Sequence, residues 1–212
     1  MRDDADTVAT ESRAVVLAGF APEDHDAVSA GLSSPEPMVR ARALGAAARL
    51  GPRSVPQRVH GIRDDSPLVR RRACQLEARY PRRSVQVTDA LISRLDDADE
   101  LVVVAAADAL GEVRASAATS ALSGVAGAHA DARCREAAVA ALGNIGGDAG
   151  LAAILSALDD KPAIRRRAVV ALAAFSGTLV EAALARALED KDWQVRQTAE
   201  SLRDAAREEP VG

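Results

Sequence analysis

Apolar residues recur along the chain in helical blocks about 31 residues apart. Six windows of thirteen residues align without gaps. They are VRARALGAAARLG from Val39, VRRRACQLEARYP from Val69, VVVAAADALGEVR from Val102, CREAAVAALGNIG from Cys134, IRRRAVVALAAFS from Ile164 and VRQTAESLRDAAR from Val195. Their starts are separated by 30, 33, 32, 30 and 31 residues. The fifth position is alanine in all six, from Ala43 through Ala73, Ala106, Ala138 and Ala168 to Ala199. Positions one, five, eight, nine and twelve fall on one stripe at about 100° per residue, which predicts one helix per window with that stripe buried. A weaker seventh copy, ATESRAVVLAGFA from Ala9, lacks the alanine.

The window starts carry helix punctuation. Pro37, Pro67 and Pro162 stand two residues before their windows, where a first-turn proline loses no hydrogen bond. Ser66, Asp99, Asp131 and Asp192 stand three before, at the expected N-cap. Gly51 and Gly146 close two windows as stop residues. A shorter apolar helix is predicted ahead of each window. Ser54 and Gln57 read as a capping box for one, and Thr178 and Glu181 for another, the latter carrying apolar Leu179, Ala182, Leu184 and Leu188. Two helices per repeat cannot cover their own apolar faces. Each pair must stack on its neighbours, so the pattern predicts an all-α solenoid.

The pattern V-R-x-x-A-A-x-A-L-G-x-I-G resembles HEAT repeats, in the short HEAT-like class of the bilin lyases, over about residues 22–207. The resemblance implies a right-handed α-solenoid of about six helix pairs with an N-terminal capping helix. Residues 1–21 would form a capping half-repeat, 22–207 the solenoid and 208–212 a tail. It also implies that the second helix of each pair lines the concave side. Proteins of this class serve as scaffolds, enzyme regulators, chromophore lyases, DNA glycosylases and metal-dependent hydroxylases, so the resemblance speaks to fold and leaves function open.

Composition narrows that range. Aromatic residues are 2% of the chain, too few for a base-stacking groove or an aromatic cage. The hydroxylases of this fold need repeated His-Glu pairs, but His25, His60 and His129 are followed by Asp26, Gly61 and Ala130. No metal-ligand spacing, phosphate loop or nucleophile elbow occurs, so neither cofactor nor metal is expected. Cys74 and Cys134 read as buried free thiols. Trp193, in the last repeat, is expected to pack as a terminal cap. No apolar run reaches the ~20 residues that cross a bilayer, and the acidic N-terminus is unlike a signal peptide. A cytoplasmic protein is expected, and an Arg-rich, Ala-rich composition fits a bacterial GC-rich genome.

Charge divides the chain. Residues 1–39 carry a net −6, residues 40–83 a net +9 and residues 84–212 a net −7. Five arginines repeat at window position two: Arg40, Arg70, Arg135, Arg165 and Arg196. Four of them, Arg70, Arg135, Arg165 and Arg196, follow loops that carry aspartate, and Arg40 follows one with Glu36, which predicts a structural Asp–Arg ladder between repeats. A second set, Arg42, Arg49, Arg71, Arg72 and Arg79, points off the apolar stripe and is expected to form a basic patch on the concave face. Val104, Ala105, Ala137, Ala140, Val170 and Ala174 are expected to continue that face as a small apolar row. The leading expectation is a non-enzymatic interaction adaptor whose protein partner presents an acidic segment. The alternatives are nucleic-acid binding through Arg42–Arg83, as in a glycosylase-like protein without catalysis, and a lyase-type activity on a chromophore or protein.

Overall fold

The computed structural model describes residues 2–20 and 25–208. The expected boundary at residues 21 and 22, and the expected tail beyond Glu208, lie outside the described residues. Among those described there are thirteen α-helices, four short 3-10 segments and no strand. The chain is therefore an all-α repeat protein, and its contacts divide it into two compact units, residues 1–94 and 95–212.

In the first unit the helices are α1 (Arg2–Ala18), α2 (His25–Leu32), α3 (Pro37–Leu50), α4 (Val55–Ile62), α5 (Pro67–Arg79) and α6 (Val85–Ile92). Helices α1, α3 and α5 stack side by side as one layer, with α2 packed on α1 and α3, and α4 on α5 and α6. In the second unit they are α7 (Glu100–Glu112), α8 (Thr119–Ala128), α9 (Ala132–Ile145), α10 (Leu151–Ala157), α11 (Pro162–Ala171), α12 (Thr178–Leu188) and α13 (Trp193–Glu208). Here α7, α9, α11 and α13 stack in chain order, covered by α8, α10 and α12.

Helix starts follow the local chemistry. Pro37, Pro67 and Pro162 each open a helix. Asp99 accepts hydrogen bonds from the Leu101 and Val102 N–H groups, and Asp192 from those of Gln194 and Val195. Ser54 and Gln57 close a reciprocal capping box. Thr178 and Glu181 do not. The helix begins one residue earlier than that box requires, with Gly177 as its N-cap at φ 109°, a conformation glycine adopts freely. The apolar face of α12 also differs from expectation: Val180, Ala183 and Ala187 are buried, whereas Leu179 is 65% exposed. The buried set recurs at i, i+3 and i+7, the spacing of one helix face, and leucine content alone does not follow that spacing.

All six column alanines are 0% exposed. The buried surface is wider than the expected stripe, because each second helix is covered by its partner and flanked by neighbouring second helices. Window position six is buried throughout the first five copies, at Leu44, Cys74, Ala107, Val139 and Val169. Close approach also uses glycine. A Cβ at Gly111 would lie 2.9 Å from the Ala141 Cα, and one at Gly143 2.9 Å from the Ala171 Cα. The N-terminal copy is offset by one residue from its gapless alignment. Ser12 is 0% exposed 31 residues before Ala43, so a serine stands in the alanine column and the equivalent window starts at Val8.

Candidate functional site

The arginine at window position two does the same work in each repeat where its partners are described. Its Nη1 closes the loop before its own helix, and its Nε and Nη2 grip the aspartate of the next loop. In the first unit Arg40 donates to the Ser34 and Pro35 carbonyls, both at 2.9 Å. It also donates to Asp64 at 2.9 and 2.8 Å. In the second unit Arg135 donates to the His129 and Ala130 carbonyls and holds Asp160 at 2.7 and 2.9 Å. Arg165 donates to the Asp160 carbonyl and holds Asp190 at 2.8 and 2.7 Å. Arg70 closes its own loop through the Asp64 and Asp65 carbonyls, and Arg196 through that of Asp190. The bidentate geometry is one that lysine cannot reproduce.

The aspartates feel this. The bond from Arg135 holds Asp160 below the usual carboxylate range, as that from Arg165 does for Asp190, and backbone N–H groups assist both. Burial pushes Asp64 up, but bonds from Arg40 and the Ser66 N–H outweigh it, and the carboxyl ends below its ordinary value. A carboxylate depressed on folding stabilises above its unfolded pKa of ~3.9, and that stabilisation disappears as pH falls through the folded value. Replacing Arg165 by Ala is expected to cost about 1–3 kcal/mol at pH 7, as for hydrogen bonds to charged groups. The difference from the parent, measured by urea unfolding, is expected to shrink steadily below about pH 4. A loss that stays constant to pH 2 would show that packing of the side chain, rather than the ion pair, carries the effect.

The second set of arginines has a different environment. Arg42, Arg49 and Arg79 are exposed, and Arg71 and Arg72 are half-buried, all on the adjacent helices α3 and α5. Arg49 lies over the Phe20 ring, 4.5 Å from its centroid, and donates to the Val16 carbonyl. The Arg72 guanidinium occupies the space a Cβ would take at Gly45, whose own lack of a side chain admits it. Among the described residues, no carboxylate forms a salt bridge with any of these five.

The expected apolar row divides. Ala105 and Ala137 are 4% and 8% exposed and belong to the core of the second unit, because window position four is covered where second helices stack. Val104 and Ala140 are half-buried, and Val170 and Ala174 are exposed. The same unit places carboxylates among them. Burial, then the nearby Glu112 charge, raises the Asp108 carboxyl, while Arg167 opposes the rise and also reaches Glu136 at 3.4 Å. Trp193 is 61% exposed at the first turn of α13, so it does not pack as a buried cap.

One cluster had no sequence expectation. Glu77 stands at window position nine, where the next three windows carry buried Leu110, Leu142 and Leu172. It is 1% exposed and bridges two arginines. Arg53 Nη2 donates to Glu77 Oε1 at 2.8 Å, and Arg58 donates to Oε2 through both Nε and Nη2. Arg58 also donates to the Arg82 carbonyl at 2.8 Å. An acid in a leucine column was the available signal.

Other chemistry is sparse. Cys74 and Cys134 are buried and outside any disulfide, and burial pushes the Cys134 thiol up to about 11, far from a thiolate at neutral pH. Among the described residues, no cluster of three potential metal ligands occurs, and no helix is long and apolar enough to cross a membrane.

The stacked helix pairs, the buried alanine column and the bidentate arginines define an α-helical repeat protein. A family model for HEAT repeats matches residues 55–143 and again 88–173, more than half of the chain, and the chain belongs to that family. No curated protein matches it. A designed armadillo repeat protein is 20% identical with a TM-score of 0.60, over 87% of this chain and 98% of that one. Another designed armadillo repeat protein, in complex with the peptide (KR)4, is 20% identical with a TM-score of 0.57, over 90% and 97%. The Escherichia coli protein YibA is 15% identical with a TM-score of 0.59, over 82% and 68%. At these identities the likeness is one of fold.

Proposed function

We propose that the chain is a non-enzymatic protein-interaction module that captures an acidic segment of a partner on the arginine face of its first unit. The observation carrying this reading is that Arg42, Arg71 and Arg79 project from α3 and α5 with no carboxylate bonded to them among the described residues. Arg40, Arg135 and Arg165 of the ladder, by contrast, are each held by an aspartate. Repeat folds of this kind form protein-binding scaffolds, and one designed relative by fold is seen with a basic peptide. A basic face selects the opposite charge.

The test uses an acidic peptide of alternating Glu and Leu, titrated against the full chain. Reversing Arg42, Arg71 and Arg79 to Glu is expected to weaken peptide binding by more than tenfold and leave the melting temperature within a few degrees of the parent. Arg72 is left in place because its guanidinium fills the space over Gly45. A short DNA duplex is the competing ligand. Duplex binding tighter than peptide binding, with the steep log-linear salt dependence of counterion release, would favour the nucleic-acid reading instead. Equal peptide binding by parent and reversed variant would end the proposal.

A further inference from the structure

We infer that the acidic segment captured by the first unit is anchored by an apolar side chain, seated in a slot between the C-terminal ends of α3 and α5 beside Arg79. The anchor rests on the acidic-segment reading and names the apolar part of the same partner, a leucine-sized group flanked by carboxylates. The slot is walled by Ala48 from the last turn of α3, by Gly51 and Pro52 after it, and by Tyr80 at the end of α5, with Arg82 at its border. It measures about 160 Å³. A cavity of ~150 Å³ takes up a benzene-sized group, so a leucine side chain fits.

The wall is apolar and preformed. Ala48, Gly51 and Pro52 carry no polar side-chain atom, and Tyr80 is 45% exposed. Tyr80 stands at window position twelve, where Leu50, Val113, Ile145 and Phe175 are all half-buried. Its own neighbour holds it out of that column. Proline disfavours helical backbone at the residue before it, and Tyr80, followed by Pro81, leaves the helix at φ −128° and ψ 67°. The loop beyond is pinned, because Arg58 donates to the Arg82 carbonyl at 2.8 Å and is itself fixed by Glu77. An aromatic side chain left half out of its column has apolar area still to bury, and a wall already fixed binds without the entropic cost of ordering it.

The surroundings select the charge that accompanies the apolar group. Arg79, Arg82 and Arg83 are exposed, and among the described residues no carboxylate forms a salt bridge with them. Glu77 is committed to Arg53 and Arg58 through both its oxygens. An apolar group entering the slot therefore arrives in a positive potential, which favours carboxylates beside it and disfavours lysine or arginine.

Two peptides of equal charge, one alternating Glu with Leu and one alternating Glu with Ser, are titrated against the full chain. Tyr80 is the chain's only tyrosine, so its ring resonances report the slot directly. The leucine peptide is expected to bind at least ~10-fold tighter, the lower end for burying one leucine side chain, and to shift the Tyr80 signals saturably. Tyr80→Ser, at an exposed side chain, is expected to remove that preference and leave the affinity for the serine peptide unchanged. Ala48→Leu, which fills the slot from α3, is expected to do the same; if it melts low, Tyr80→Ser alone decides. Met38→Ser, 42% exposed at the opposite end of α3, is expected to keep the preference. Equal binding of the two peptides by the parent, a preference that survives in Tyr80→Ser, or one lost equally in Met38→Ser would overturn the anchor and leave the arginine-face reading standing. If neither peptide binds, the acidic-segment reading fails, and N-acetyl-leucine, one isobutyl group beside one carboxylate, tests the slot by itself. Saturable movement of the Tyr80 signals in the parent and not in Ala48→Leu would support the slot, and no movement would overturn it.

Discussion

Replacing Glu77 by Ala is expected to lower the unfolding free energy by about 3–5 kcal/mol, the range for breaking a buried ion pair from one side. Both carboxylate oxygens are engaged, and removing them leaves two guanidinium groups facing each other, each less than a tenth exposed. Two unpaired buried cations cost more than the apolar contact a methyl group could recover. The remedy is equally specific. Joint replacement of Arg53 by Met, Arg58 by Met and Glu77 by Leu gives position nine the residue found at 110, 142 and 172, and is expected to restore the parent's stability or exceed it. Urea unfolding of the three proteins checks both statements. A loss below 1 kcal/mol for Glu77→Ala would show that water reaches the cluster freely.

Replacing Ala138 by Leu is expected to cost about 3 kcal/mol, the upper end for overpacking. Ala138 is 0% exposed on α9, which packs against α7 on one side and α11 on the other. The glycines beside this column set the spacing. With Gly111 and Gly143 each able to bring a neighbouring helix Cα to within 2.9 Å of a would-be Cβ, the helices cannot part locally without losing those contacts. The isobutyl group therefore has to displace a helix rather than a side chain. Ala140, two residues on and half-buried, is the control: Leu there is expected to change stability by less than ~1 kcal/mol. Thermal melts of the two variants decide the register. Equal effects would place Ala138 off the helix contact.

The repeat period, the helices and the alanine column follow from residues three and four apart, and a sequence displays such relations directly. Ser54 with Gln57, Asp99 with the N–H groups after it, and proline at three helix starts are likewise local. The reading failed where local signals competed. Thr178 and Glu181 match a capping box, yet Gly177 takes the cap, and Ser12 hides an alanine-column position because its copy is offset by one.

The sequence by itself determined that the chain is a helical repeat and which residue type each repeat places at its helix contact, because periodicity of 3.6 and capping act within one turn. Tertiary structure alone decided what each charge meets. Arg40, Arg135 and Arg165 are bound by aspartates 24 or 25 residues away, while Arg42 and Arg79 on the same kind of helix are exposed and half-buried Arg71 forms no salt bridge among the described residues. Ala105 and Ala137 became core, and Glu77 became the shared counter-ion of two buried arginines. Those outcomes depend on the distance between stacked helices and on which side chain reaches across it, and that distance is set by contacts between repeats rather than by the order of residues within one.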